Sequence, residues 1–481
     1  MSTLSPTAGS RPGTPRVSGV SPAPGERPSA NPSAGTQDLS ASSGLPGRVE
    51  KPNRELGNNA INDFTLLRDR RDSRYDLRNR SRELAVLVPA VQAIKLRGGA
   101  WQSHRLTLCG KAMRAGETEV IFRENADMSG ITNLQSCGSY ACPVCGPKVA
   151  NRRFEEVLKV LTTAKAQGFD VAMVTMTVRH GKRDALEALW DGVLAGWREA
   201  ITATAWVGES VEAYEQARQS WLERGALHEA GLGRAPRGWK KQRGIFRARR
   251  VGERERLGVL APIRAVELTR GKNGWHPHIH ALFIFKADSP SWEDREAQAR
   301  QIGDFFHARF VAGIAKHGLE SWGTSGGLDV QLMEGSAESI AAYATKMALE
   351  ATRADLKDGR MGGETPRQLL ERAVAGDEDA VSAWLTFATV SQGRRWLVIS
   401  KVLRAFAQLG EEQTDEEIAD EESPGFEVAA ISAVEWKARK LWLWSAVLLR
   451  TLEERGEPGF FLLLESCGIK YRDLSDPPLE E

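Results

Sequence analysis

Apolar positions along the chain follow two rhythms. Phe154 to Ala166 repeats at helical spacing, whereas 171-VAMVTMTV-178 is a short β-rich run. Asp184 to Thr204 is again helical in pattern. Ile263 to Thr269 and His278 to Phe285 then read as two strands joined by the turn 270-RGKNG-274. An amphipathic helix is predicted over Ala297 to Ala315, a strand over Gly327 to Leu332 and a helix over Ser336 to Ala351. Beyond these the pattern is mainly helical, and Ile431 to Leu452, with Trp436, Trp442 and Trp444, reads as a packed helix.

Composition divides the chain further. The first 50 residues hold 10 Ser, 8 Pro and 7 Gly and no aromatic residue. Such a segment cannot bury enough surface to offset the cost of ordering, so residues 1–60 are expected to be a disordered tail. Residues 61–103 form an Arg-rich helical linker. Arg68, Arg70, Arg71, Arg74, Arg78, Arg80 and Arg82 alternate there with Asp69, Asp72 and Asp76, as in a solvated helix or a DNA-contacting arm. A Cys-rich module over 104–152, an alternating region over 153–355 with a basic insert at 205–258, and a helical region over 356–481 follow. Within the last, 411-EEQTDEEIADEE-422 carries eight carboxylates in twelve residues and reads as part of an acidic, solvated linker over 411–424.

Overall charge names no partner, because 65 Lys+Arg face 63 Asp+Glu for a net +2 in 481 residues. No stretch approaches the roughly 18 apolar residues of a membrane span. The N-terminus has no apolar core of the secretory kind, and five Cys do not make a disulfide scaffold, so a cytoplasmic protein is expected.

Three patterns carry chemistry. Cys137, Cys142 and Cys145 stand as C-x4-C-x2-C, with Cys109 upstream. Two thiolates two residues apart in a Gly/Pro turn suit one tetrahedral Zn²⁺, a closed structural site in which Cys109, or alternatively His104, is the fourth ligand. In 275-WHPHIHALFIF-285, positions 276, 278 and 280 share one strand face, and Pro277 is expected to delay the regular strand, leaving His278 and His280 as the pair. If the hairpin forms, Glu267 lies level with them; otherwise it is an exposed strand carboxylate. Two imidazoles and a carboxylate suit Mg²⁺ or Mn²⁺ with phosphate. On the helix 336-SAESIAAYATKMALE-350, Tyr343 and Lys346 share a face, where a phenol beside an ammonium could attack phosphorus or simply pack.

In the insert, residues 234–256 hold ten Lys/Arg and two Glu. Arg237, Lys240, Lys241, Arg243, Arg247, Arg249 and Arg250 could neutralise phosphates while Trp239 and Phe246 stack on unpaired bases. A solvated loop is the plainer reading.

Together, 171-VAMVTMTV-178, 278-HIHALF-283 and 343-YATK-346 resemble, in order, the three motifs of the HUH endonucleases. The chain is most similar to the rolling-circle replication initiators (Rep proteins) of actinobacterial plasmids. The cluster 142-CPVC-145 followed by Arg152 and Arg153, then 365-TPRQLL-370 and 393-GRRWLVIS-400, are similar to that subfamily too, and the resemblance runs from Cys109 to Glu422. It implies an α+β, ferredoxin-like HUH core over 153–355: a central antiparallel sheet with helices on one face, preceded by the zinc module and followed by the helical region.

The resemblance also implies an activity. Tyr343 would attack plasmid origin DNA, single-stranded at the nick, to give a 5′-phosphotyrosyl link, with the divalent ion on His278, His280 and Glu267, or on His276 in place of Glu267. Lys346 would assist, and the freed 3′-hydroxyl would prime synthesis by a host DNA polymerase, with a host helicase as a further partner. Single-tyrosine relatives can use a Glu one turn before the Tyr for termination. Here Ser339 holds that place, so Glu338 or Glu350 is the candidate base. An HUH transposase or relaxase, and a non-catalytic zinc-stabilised DNA-binding regulator of replication, share part of this pattern.

Overall fold

The computed structural model describes residues 64–86, 94–95, 101–102, 104–125, 128–242, 245–341, 363–422 and 424–475. The chain divides into Met1–Ile61 and Asn62–Glu481, and every described residue belongs to the second unit. The expected tail, Tyr343, Lys346, Glu350 and Arg243 lie outside the described residues, as does the Lys241 side chain.

The elements used below are, in chain order, α1 (Phe64–Val86), β1 (Glu119–Glu124), β2 (Gly130–Thr132), α2 (Cys145–Ala166), β3 (Asp170–Thr177), α3 (Leu186–Thr202) and α4 (Val211–Glu229). They continue with β4 (Val259–Gly271), β5 (Gly274–Phe285), α5 (Trp292–Ala315), β6 (Leu328–Leu332), α6 (Pro366–Val374), α7 (Glu378–Ser391) and β7 (Leu397–Ile399). The last are α8 (Asp415–Asp420), β8 (Phe426–Ser432), α9 (Ser445–Ser466) and β9 (Arg472–Asp473).

An antiparallel five-stranded sheet in the order β6-β3-β5-β4-β7 is the centre of the molecule. Its alternating side chains feed two cores. Val174 and Met176 of β3 with Ile279, Ala281 and Phe283 of β5 meet Trp190 and Val193 of α3 and Ile302, Phe306 and Phe310 of α5. Val171, Met173, Leu282 and Ile284 face the other way, onto Val157, Val160 and Leu161 of α2 and onto Ala337, Ile340 and Ala341. Helical segments therefore cover both faces, where the resemblance implied one. This is why β5 is apolar on both sides from residue 281 onward.

Both hairpin strands are longer than the sequence predicts. Pro277 sits inside β5 opposite Leu268, one residue past the last rung with β3, Thr177↔His278. Pairing with β3 has ended there, so a residue without an N–H costs no rung on that flank.

A second antiparallel sheet, β9-β8-β1-β2, joins the Cys-rich region to the C-terminal region, with Phe122 opposite Ala429. The expected single helix over 431–452 is instead the end of β8, two short helical turns and the start of α9. Leu448, Leu452, Phe460 and Leu464 of α9 pack on Phe122, Ile431 and Trp436. No helix among the described residues is long and apolar enough to cross a membrane.

Two expectations of solvated charge are overturned. The acidic run forms α8, capped by Thr414 and Glu417. Its Ile418 and Ala419 are buried, Asp415 accepts from Arg153 at 3.0 Å, and Asp420 accepts from the Ser136 N–H at 3.2 Å. Nor is α1 a solvated arm. Arg71 pairs with Glu453, Arg450 bridges Asp69 (2.6 Å) and Asp72 (2.5 Å), and Arg78 and Arg82 are buried.

Candidate functional site

Cys109, Cys137, Cys142 and Cys145 are all buried, and their sulfurs lie within 4.8 Å of one another. Among the described residues this is the one such gathering of metal-ligating side chains. Local turns build it. Cys109 ends a short 3-10 turn over Arg105–Leu108, and Gly110 follows with φ +64°, a conformation that turns the chain away after the ligand. Gly146 donates to the Cys142 carbonyl at 2.9 Å, and the Cys145 N–H approaches the Cys142 sulfur at 3.4 Å.

Cys109 Sγ lies 3.7 Å from Cys142 Sγ and 3.5 Å from Cys145 Sγ, a spacing for ligands of one ion and not for a disulfide. His104, the rival fourth ligand, is not among the four gathered donors. Its Nδ1 accepts from the Leu106 N–H at 3.2 Å and its Nε2 lies 2.8 Å from the Ala388 carbonyl, so both ring nitrogens are engaged.

The surroundings fit a charged metal centre. Arg78 is 4 % exposed, its guanidinium occupies the space where a Cβ on Gly110 would stand, and its Nε and Nη2 have no hydrogen-bond partner. Arg82 donates to the Cys109 carbonyl at 2.5 Å. Four neutral thiols would leave these cations poorly compensated, whereas four thiolates around one Zn²⁺ carry a net charge of −2. Hydrogen bonds from the other three thiols, reinforced by Arg78, hold the Cys109 thiol well below its usual range.

The histidines lie on the α2 side of the five-stranded sheet, continuing the face of Leu282 and Ile284. His278 stands directly opposite Glu267 across the hairpin. His280 Nε2 is 2.5 Å from Glu267 Oε2, and its Nδ1 is 2.9 Å from Thr175 Oγ1. Either Nε2–H donates to the carboxylate while Nδ1 accepts from the hydroxyl, or Nδ1–H donates to Thr175 Oγ1 and leaves Nε2 free for an ion. His278 Nδ1 is buried without a partner. The rings of His180, His276, His278 and His280 form a row, with centroids 4.4, 3.9 and 5.9 Å apart. His276 Nε2 approaches Thr177 Oγ1 at 3.4 Å.

Burial, together with the neighbouring imidazoles, pushes His278 down to about 3 and His276 down to about 4. Both are therefore neutral, the ligand form, near pH 7. His278, His280 and Glu267 offer donor types that a divalent ion takes, and the His278 Nδ1 is orphaned, but their ligand atoms are not gathered as the four sulfurs are. The sequence pass overlooked Thr175 and His180, although the alternation in VTMTV already places Thr175 and Thr177 away from the core of Val174 and Met176.

Two expectations follow. Thr175→Val removes the bond that sets the His280 ring and should weaken Mn²⁺ binding by about 10- to 100-fold, as read by isothermal titration. Stability should also fall on acidification. The unfolded imidazoles take protons near pH 6.5 and the folded ones only near 4 and 3, so between these limits the unfolded state binds more protons. The melting temperature of metal-free protein should drop from pH 6.5 toward pH 4, and less steeply in a His276→Asn, His278→Asn variant.

In the insert, the Trp239 ring packs tilted against Trp221 with centroids 4.5 Å apart, and Phe246 lies 5.3 Å from Trp221 and 5.5 Å from Tyr214. Arg247 grips Glu209 with bonds of 2.8 and 2.6 Å, and Arg249 pairs with Glu255. The aromatics and two of the basic residues thus pack the insert onto α4 and its flanks, while Arg237, Lys240 and Arg250 are exposed.

No family model matches the chain, and no solved structure matches it. The sequence is similar to "Protein rep" of Streptomyces lividans, with 28% identity over 377 residues that cover 69% of this chain and 77% of that protein.

Proposed function

We propose that this chain is a plasmid rolling-circle replication initiator of the HUH kind, which nicks and rejoins single-stranded origin DNA through a phosphotyrosyl intermediate. The likeness to Protein rep supports a Rep-type protein. The observation that carries the catalytic reading is the pairing of Glu267 with His280, beside His278, on one sheet face. Ile340 and Ala341 pack into the core on that same face, two residues before Tyr343 along the chain.

In this reading the Tyr343 oxygen bonds to the scissile phosphorus and the P–O3′ bond breaks. The 3′-oxygen leaves as a hydroxyl after taking up a proton, and the 5′-phosphate stays on the tyrosine. One diester is exchanged for another, so rejoining needs no external energy source. A divalent ion, Mg²⁺ or Mn²⁺, held by His278, His280 and Glu267 would polarise the scissile phosphate. Lys346 would supply charge near the developing phenolate. Zn²⁺ on the four cysteines would be structural. Glu338, exposed at the start of the 337–341 turn, and Glu350 remain the candidate termination bases.

Origin DNA is the substrate, and a host helicase and DNA polymerase would act on the product. The test is nicking of a supercoiled plasmid carrying the gene's own upstream region, with recovery of a DNA–peptide adduct.

A further inference from the structure

A basic rim with an exposed tryptophan stands at the end of the five-stranded sheet where the histidine row begins. The loop after β3, 179-RHGKR-183, lies against the β4–β5 turn. His180 Nδ1 is 3.1 Å from the Asn273 carbonyl. At Gly274 (φ +87°) a Cβ would stand 3.0 Å from the Gly181 carbonyl oxygen and 3.1 Å from Lys182 Cα. Lys182, Arg183 and Lys272 are therefore neighbours, all three are exposed, and none forms an ion pair among the described residues.

The loop that precedes β6 is tied to the same edge. Arg179 donates its N–H to the Glu320 carbonyl at 2.7 Å, and Ser321 Oγ lies 3.4 Å from the Thr177 carbonyl. This places Trp322, 54 % exposed, with the Arg179 guanidinium 5.0 Å from its ring centroid. Two carboxylates oppose the rim's charge. Glu320 pairs with Arg179 at 3.3 Å, and Asp184 is engaged by the Gly181 N–H at 2.6 Å. Four cations against two anions leave a surplus of two positive charges.

We propose that this rim is the track along which single-stranded DNA approaches the histidine site. Trp322, backed by Arg179, stacks an unpaired base, and Lys182, Arg183 and Lys272 hold the flanking phosphates. The inference rests on the proposed function and adds where and how its substrate is held. An open aromatic face beside solvated cations suits unpaired bases, which offer a π-face that duplex DNA keeps stacked. The insert's Trp239 and Phe246 already pack, tilted, against Trp221, whereas Trp322 meets no other ring among the described residues. The row from His180 to His280 leads directly from the rim to Glu267.

The test uses the full chain, a fluorescein-labelled unstructured oligonucleotide without origin sequence and anisotropy in buffer with no added Mg²⁺ or Mn²⁺, so that no nicking intervenes and the four-cysteine site is not stripped. Trp322→Ala should weaken binding by about 5- to 100-fold, while Trp322→Phe, which keeps a stacking ring, should recover most of it. The triple variant Lys182→Gln, Arg183→Gln, Lys272→Gln should lower the slope of log affinity on log salt by about 2. Removing three exposed lysines elsewhere, with Lys401→Gln, Lys437→Gln and Lys470→Gln, should leave that slope unchanged. Wild-type affinity and slope in the folded rim variants would overturn the inference and leave the proposed function standing. Failure of the wild-type chain to bind any single-stranded DNA would overturn both.

Discussion

Incubated with Mn²⁺ and a supercoiled plasmid carrying its own origin, the protein should produce open circles and a DNA–peptide adduct on Tyr343. Tyr343→Phe should reduce nicking by at least about 1000-fold, because removing a nucleophile removes the covalent route itself. The chain has five tyrosines, and the other four are engaged elsewhere. Tyr140 is buried against Trp396, and burial pushes its phenol up, away from the reactive phenolate. Tyr214 donates to the Arg247 carbonyl at 2.8 Å, Tyr471 donates to Glu465 at 3.1 Å, and Arg78 lies over the Tyr75 ring at 4.2 Å.

His278→Ala and His280→Ala should each cost more than about 100-fold, since loss of a ligand exceeds the usual cost of losing a residue that merely orients one. Glu267→Gln separates two roles. The amide can still reach His280 but brings no negative charge to a cation, so nicking should fall while the melting temperature holds. An adduct on a different tyrosine would keep the enzyme class and discard this site. Tight, EDTA-insensitive binding without nick or adduct, on DNA shown to contain the origin, would favour the non-catalytic regulator.

The alignment of the histidines with Glu267 was legible in the sequence because it depends on local rules. A strand's period of two aligns His276, His278 and His280, and the tight turn before Gly274 fixes which β4 residue meets which β5 residue. That register alone sets Glu267 opposite His278. The cysteine centre was legible for the same reason: a C-x2-C turn closes on itself.

What sequence reasoning missed depends on distant partners. The acidic run reads as solvated until Arg153, Lys148 and the Ser136 N–H meet α8, and the arginines of α1 read as solvated until α9 supplies Glu453. Phe122 and Ala429 are some 300 positions apart, so no local pattern announces that β1 and β8 share a sheet. Trp239 and Phe246 look free for bases in the sequence because Trp221, against which they pack, lies in a different helix.

Removing the metal that the four cysteines are proposed to hold should have the largest effect on folding, and Arg78 makes that effect diagnostic. A tetrathiolate zinc site carries about 10–16 kcal/mol of apparent binding free energy in small domains, comparable to or above the whole stability of many proteins. Cys142→Ser or Cys145→Ser should therefore abolish zinc retention by elemental analysis and lower the melting temperature far more than a surface substitution does. The loss should spread to α1, because Arg82 donates to the Cys109 carbonyl and Arg78 packs beside Gly110.

Arg78→Met should act with opposite signs in the two states. With zinc bound, it removes the buried counter-charge and should weaken retention by about 10- to 100-fold in a chelator competition. With zinc removed, two buried cations, Arg78 and Arg82, face a single thiolate at Cys109, a costly arrangement, so the same substitution should be neutral or stabilising in a thermal melt. Equal destabilisation with and without chelator would mean that Arg78 only fills space. A reversal of sign would mean that the charge on the cysteines holds α1 in place.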